Sequence, residues 1–350
     1  MLKVGMIGAG SIAKYHLDFF AKNKDVEVVV IADLNEALAK ERAQNYGIEN
    51  CYTDYRKILE DESIDAVSIA TPTFTHCSIT VEALKAGKHV LCEKPPAMSV
   101  EEVERSVAAA RETGKLLMWE LPLRFKQEIE LLKEHIEAGN MGKILQAEAA
   151  RVYRYSAIGG WFADKKKSGG GNLIDATIHQ IDEVMYLMGF PKVKSVLGFS
   201  TCANNDLVGN LKGKYSGWAS ADKSVHERTI ESMASGYVTF DNGASLYIKS
   251  ASIAYSIKKG TYINLIGEKG GARYEENDLT LLMNMQDYMT EVKPDIETND
   301  NPYEKAINHF VDCCVNGTEC ICPGWQGIEL MKIIEGIYKS AETGMPVIYE

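Results

Sequence analysis

Proline is scarce, at 9 of 350 residues, and tryptophan occurs only 4 times. No apolar run, Val28 to Ala32 included, approaches the roughly 20 residues of a membrane-spanning helix. With 45% hydrophobic and 25% charged residues, the composition excludes a fibrous or wholly disordered chain. Positive charge is in deficit: 38 Lys and Arg face 49 Asp and Glu, a net charge of −11, and the one basic block is Lys165-Lys166-Lys167. The deficit argues against nucleic acid as the main partner and against an anionic membrane surface, while leaving room for a local phosphate pocket. Met1–Gly8 runs straight into a strand pattern and lacks the charged, apolar and small-residue order of a signal peptide. The 8 cysteines then read as reduced thiols of a cytoplasmic protein. Cys313, Cys314, Cys320 and Cys322 cluster, but Cys-Cys and Cys-x-Cys are poor zinc spacings and no His pair follows, so no metal site is expected.

What is present is a change of rhythm. Up to about residue 120, short, mostly apolar runs (Lys3–Ile7, the β-branched-rich Val26–Ala32, Ala66–Ala70, His89–Cys92, Lys115–Trp119) alternate with helical patterns. Ser99 followed by Glu102 has the form of a capping box. Such alternation predicts an α/β fold with a doubly wound parallel sheet over residues 1–120. Beyond it, helices at Phe125–Ala138, from Gly171 to Met188, at Pro302–Val315 and at Gln326–Glu342 flank a long strand-and-turn region. Asp241-Asn242-Gly243 marks a hairpin. Residues 121–350 therefore read as an α+β domain on a largely antiparallel, open-faced sheet, whose last helices can pack back on the first domain. The stretch Asn204–Arg228 is poorly patterned and reads as a long loop.

Gly8-Ala9-Gly10-Ser11-Ile12-Ala13 fits Gly-x-Gly-x-x-Ala and lies where that pattern has a mechanism, after a strand and opening a helix. Gly8 permits the tight turn, Gly10 lets a pyrophosphate approach, and Ala13 lets the helix pack on the sheet. The helix start, with Ser11 and Ile12, then offers unpaired N–H groups to phosphates. Asp33 ends the second strand, where a carboxylate accepts from ribose hydroxyls and repels a 2′-phosphate, favouring NAD over NADP. Glu93-Lys94-Pro95 follows another strand, and Lys94 reads either as a solvated turn residue or as a side chain pointing into the cofactor crevice. Asp175 and His179 stand four apart behind Gly169-Gly170-Gly171, as a surface polar pair or as an acid–base pair on one helix face. The glycines favour the second, since they let a loop or ligand come close to the helix start.

These residues resemble the Gfo/Idh/MocA family, named for glucose–fructose oxidoreductase and inositol dehydrogenase. The likeness includes Gly8-x-Gly10, Thr71-Pro72-Thr73-x-x-His76, the run Ala86 to Pro95, Arg124-Phe125, Trp161 ahead of the three glycines, Asp175-x-x-x-His179 and Ile266-Gly267-x-Lys269-Gly270. The resemblance implies an NAD-dependent dehydrogenase acting on a secondary alcohol of a polyol, cyclitol or sugar. It implies Lys94 against a substrate hydroxyl and the cofactor, Asp175 on the substrate, and His179 as general acid/base. Thr71, Pro72 and His76 would line the nicotinamide side, and Glu93 would fix the turn or touch the cofactor ribose. Glu120, Arg124, Arg151, Tyr153, Trp161 and Phe162 are pocket candidates. A homodimer or homotetramer formed through the open sheet face is implied too. Two alternatives stay open: a glycosidase or lyase using transient sugar oxidation by NAD, and a non-catalytic sugar or dinucleotide sensor.

Overall fold

The computed structural model describes residues 1–156, 159–207, 228–297 and 300–350, so most of the stretch 204–228 lies outside the described residues. The chain divides into two compact units, Met1–Pro122 with Asp300–Ile328 and Leu123–Asn299 with Glu329–Glu350.

In chain order the first unit runs β1 (Leu2–Ile7), α1 (Ser11–Phe20), β2 (Val26–Ala32), α2 (Glu36–Tyr46), β3 (Asn50–Tyr52), the one-turn α3 (Arg56–Leu59), β4 (Ala66–Ile69), α4 (His76–Lys85), β5 (His89–Glu93), α5 (Val100–Thr113) and β6 (Leu117–Glu120). All six strands are parallel, in the order β3-β2-β1-β4-β5-β6. Val4, Met6, Ile31, Val67, Ile69, Val90 and Leu91 are buried, as strands covered on both faces must be. The order reverses between β1 and β4, which opens a crevice at the carboxyl ends of the strands. The predicted capping box forms with a shift of one residue. Ser99 Oγ accepts from the Glu102 N–H (3.3 Å), while the Glu102 carboxylate accepts from Met98 N–H (3.0 Å) rather than from Ser99.

The second unit continues with α6 (Gln127–Glu137), β7 (Ile144–Val152), the one-turn α7 (Lys165–Ser168), a π-helical turn (Leu173–Thr177) leading into α8 (Ile178–Leu187), β8 (Val193–Thr201), β9 (Met233–Phe240), β10 (Ser245–Ala251), β11 (Gly260–Gly267), β12 (Gly270–Glu275), β13 (Asp278–Met285) and β14 (Tyr288–Val292). The chain then returns to the first unit as α9 (Pro302–Asn316), which packs on α1 with Tyr303 against Tyr15. Residues 322–324 lie antiparallel beside β6, with Trp119 N–H donating to the Cys322 carbonyl (3.1 Å) and Gly324 N–H to that of Leu117 (2.8 Å). Helix α10 (Gln326–Thr343) and β15 (Val347–Ile348) end the chain.

Among the described residues the second sheet has nine strands in the order β14-β13-β12-β11-β7-β10-β9-β8-β15 and is antiparallel except where β7 pairs with β10. The turn Asp241-Asn242-Gly243 joins β9 to β10, as its sequence predicts. Helix α8 packs against β7 and β11. Arg124 clamps that helix: its guanidinium donates to both carboxylate oxygens of Asp182 (2.9 and 2.5 Å) and lies over the rings of Tyr186 and Phe190. Leu145, Leu197, Phe199, Tyr237, Tyr247 and Ile266 remain exposed on the sheet.

Glu183 on α8 is buried, and its Oε1 has no hydrogen-bond partner among the described residues. Burial pushes its carboxyl up to about 7, against the pull of Lys126 and Arg151 and with help from Asp182. The folded state thus holds a proton that the unfolded state releases near its ordinary value of 4.5. Stability from this group is complete below that value and is lost as pH rises through about 7. Glu183→Gln should remove this loss, so that its advantage over wild type grows by about 3 kcal/mol between roughly pH 4.5 and 8. Urea unfolding across that range checks it, and a pH-independent difference would reject the assignment.

Candidate active site

In the first unit the candidate residues gather at the carboxyl ends of β1, β2, β4 and β5. Gly8 sits at φ +100° with its N–H bonded to the Ala32 carbonyl (2.7 Å). Any Cβ there would collide with the Ala70 carbonyl, so only glycine lets β1 turn this close to the chain leaving β4. Gly10 is the N-cap of α1 and has no side-chain cap, and a Cβ on it would meet open space. The N–H groups of the first turn, at exposed Ser11 and half-buried Ile12, therefore face room for a phosphate. Ala13 is fully buried among Met6, Leu17 and Ile31, the close helix–sheet packing expected of a small residue there. Asp33 accepts from Ala9 N–H through one oxygen and from Asn35 N–H through the other, both at 2.8 Å. Its carboxylate is thereby held on the glycine loop, and each oxygen keeps a lone pair for a ribose hydroxyl. An open, uncapped helix start beside a fixed carboxylate fits a dinucleotide.

The turns after β4 and β5 are tied together by His76. Its Nδ1 contacts the Pro95 carbonyl (2.8 Å) and its Nε2 that of Thr71 (2.9 Å). Burial holds its pKa below the ordinary value despite both carbonyls. The ring is 1% exposed and braces this wall of the crevice, whereas Thr71 and Pro72 are half-buried and can be reached. Glu93 is fixed from two sides: Oε1 meets His16 Nε2 (2.9 Å) and Oε2 accepts from Lys94 N–H (3.1 Å), while His16 Nδ1 meets Ser68 Oγ (2.7 Å). The sequence reading missed His16 and Ser68. Their signal was a histidine on the apolar stripe of α1, between Ala13 and Phe20, and a serine inside an apolar strand. Glu120 lies opposite Glu93 in the β5–β6 register, fully buried, with no hydrogen bond to either carboxylate oxygen among the described residues. Burial, then the nearby Glu93, raises its carboxyl well above the usual range.

In the second unit the three glycines let the chain's own groups come close to the helix start. Gly169, at φ +83°, closes α7. A Cβ on Gly170 would strike the Tyr338 hydroxyl, and one on Gly171 would lie 2.6 Å from the Glu231 carbonyl. The groups that approach the helix start are the protein's own. Glu231 caps it, accepting from Gly171 N–H (2.7 Å) and Leu173 N–H (3.0 Å), and Asn172 bonds to Ser250, Thr177 and the Arg151 carbonyl. Asp175 lies half-buried on the π-helical turn and His179 one turn on, 8% exposed. Such π turns recur at functional sites because they re-aim side chains. Arg151 reaches the same region from the end of β7, donating to the Ala176 carbonyl (3.3 Å) and to Tyr153 Oη (2.8 Å). Trp161 and Phe162 stack at 3.8 Å. Arg124 is no open pocket side chain: it is 1% exposed, with both ends of its fork bonded to Asp182.

Comparison with known proteins gives these sites a context. The model of the Gfo/Idh/MocA oxidoreductase family, NAD-binding Rossmann fold, matches residues 2–121, and that of its C-terminal alpha/beta domain matches residues 133–348. D-glucoside 3-dehydrogenase of Escherichia coli (strain K12) is 32% identical, the match covering 99% of this chain and 97% of that protein. scyllo-Inositol 2-dehydrogenase (NAD(+)) of Bacillus subtilis (strain 168) is 26% identical, covering 99% and 96%. The structure of a levoglucosan dehydrogenase in complex with NADH and L-sorbose superposes with a TM-score of 0.84 at 23% identity, covering 100% of this chain and 99% of that one, which establishes a shared fold.

The bonds made by Asp33 set an expectation for cofactor choice. Asp33→Ser should weaken NAD affinity, because the ribose loses its acceptor, and should narrow the gap to NADP, because the 2′-phosphate no longer meets a carboxylate. Titration calorimetry with both cofactors checks this, and tighter wild-type binding of NADP would overturn the role given to Asp33.

Proposed function

The chain belongs to the Gfo/Idh/MocA oxidoreductase family, with an NAD-binding Rossmann domain at its N-terminus, and on that premise we propose that it oxidises a secondary alcohol of a sugar or cyclitol. The observation that carries the substrate class is the end-to-end match to D-glucoside 3-dehydrogenase, supported by the inositol dehydrogenase. Pyranosides of glucose are accordingly the first substrates to test, followed by inositols.

Bound NAD supplies the hydride acceptor. The residues of this chain would do the rest. His179 takes the hydroxyl proton as the C–H hydride leaves, its imidazole suited to acid–base work near neutrality. The Lys94 ammonium stabilises negative charge developing on the reacting oxygen, an effect strongest where water is excluded. Asp175 accepts from a neighbouring hydroxyl, with Arg151, Tyr153, Trp161 and Phe162 as further substrate contacts. Asp33 and the Gly8–Gly10 loop hold the cofactor, and Glu93 keeps the turn before Lys94 in place. A second reading keeps these roles but returns the hydride after a glycosidic bond is broken. It predicts sugar release without NADH accumulation.

The exposed apolar side chains of the second sheet support a homodimer or homotetramer formed through that face. Leu197, Tyr237 and Tyr247 are cross-strand neighbours on three adjacent strands, an apolar row of the kind that marks an interface. We place the enzyme in the cytoplasm on its eight cysteines, which form no disulfide; no helix among the described residues is long and apolar enough to cross a membrane.

NADH absorbance over a panel of glucosides and inositols tests the reaction, and turnover of none of them would overturn it. His179→Ala should lower the rate by roughly 10²–10⁴ and abolish the alkaline rise expected for alcohol oxidation. Lys94→Ala should lower it by roughly 10²–10³ with NAD binding retained. A His179→Ala enzyme that kept full rate and the same ionisation would make that histidine structural. Light scattering decides the oligomer, with Leu197→Glu expected to reduce its size.

A further inference from the structure

Far along the chain from the candidate active-site residues, one helix face and the loop behind it bring a histidine and two thiols together. His309 and Cys313 lie four apart on α9 and so share a face. Gly317, at φ +72°, ends the helix, and the Thr318 hydroxyl and Asn316 amide both donate to Asp312, so the chain folds back. Ile321 N–H donates to His309 Nε2 (2.9 Å), which presents Cys320 to the same face, and the next residues are fixed along the edge strand β6. Cys313 Sγ then lies 3.4 Å from His309 Nε2, and the donor atoms of His309, Cys313 and Cys320 all fall within 4.8 Å of one another.

We propose that His309, Cys313 and Cys320 form a binding site for a single soft divalent cation of the zinc type, holding the end of α9 to the edge of the first sheet. Zinc bonds of about 2.3 Å to sulfur and 2.0–2.1 Å to nitrogen, at tetrahedral angles, place the two donors about 3.6 Å apart. The 3.4 Å between Cys313 and His309 is already close to that spacing. Two thiolates and an imidazole suit a borderline-soft ion and leave a fourth position for water. Binding releases the two thiol protons, leaves the site neutral, and replaces the Ile321 N–H on Nε2 by the ion. Cys313 is 9% exposed whereas His309 and Cys320 are half-buried, so the ion has a way in. The pattern His-x-x-x-Cys-x6-Cys takes one cysteine from each of the two close pairs, which explains why Cys-to-Cys spacing alone points away from a metal.

Cadmium titration of the reduced full-length protein tests this. An ultraviolet thiolate-to-cadmium band should saturate at one ion per chain, zinc should compete it away, and the loaded protein should unfold at a higher temperature. Cys320→Ser and Cys313→Ser should each lose affinity by more than the roughly 10–100-fold typical of removing an outer-sphere partner. Exposed Cys202 provides the control, and Cys202→Ser should keep the band. If Cys313→Ser fails to fold, Cys320→Ser and His309→Gln, at half-buried positions, carry the test. No band at one equivalent, a band retained in Cys320→Ser, or a Cys313–Cys320 disulfide whose reduced form takes up no cadmium would each overturn the proposal.

Discussion

The close passage of the Gly8 backbone against the Ala70 carbonyl is the constraint on which the first unit's site depends. A parallel sheet buried on both faces offers chemistry only at its strand ends, and there the chain must turn at once from strand to helix. At φ +100° and without a Cβ, Gly8 makes that turn beside the chain leaving β4. The helix start then opens at Gly10, and Ala9 N–H falls where Asp33 can accept from it. A side chain at position 8 would disturb all three features through one clash.

The second unit uses glycine for the opposite purpose. Gly170 and Gly171 admit Tyr338 and Glu231, so the helix bearing Asp175 and His179 begins on a carboxylate cap and a buried ring. The sequence feature looks the same in the two places, two or three glycines ahead of a helix. At Gly10 the space is left open, and at Gly170 the protein fills it. The difference lies in residues some 60 and 170 positions away, which no local reading can supply.

That contrast explains what was legible in the sequence. Five strands of the parallel sheet, the β9–β10 hairpin and the glycine loop with Asp33 rest on local periodicity and turn chemistry, and each stands where its pattern places it. The short edge strand β3 was too brief and too polar to register. The return of Asp300–Ile328 to the first unit is the packing back that the sequence allows for the last helices, but its bounds carry no local mark, since an amphipathic helix carries no address. Arg124 shows the limit most plainly. An arginine in a suggestive motif reads as a ligand contact, but Asp182, 58 positions on, takes both ends of its fork.

Buried acids organise the rest. Asp182 gains a bidentate arginine and Glu231 gains backbone N–H donors, which pull down carboxyls that burial still holds above their ordinary values, and Glu93 gains His16 and the Lys94 N–H. Glu120 has no such bond, and burial beside Glu93 drives it toward the neutral form. The turn that carries Lys94 thus rests on the bonds that His16 and the Lys94 N–H make to Glu93.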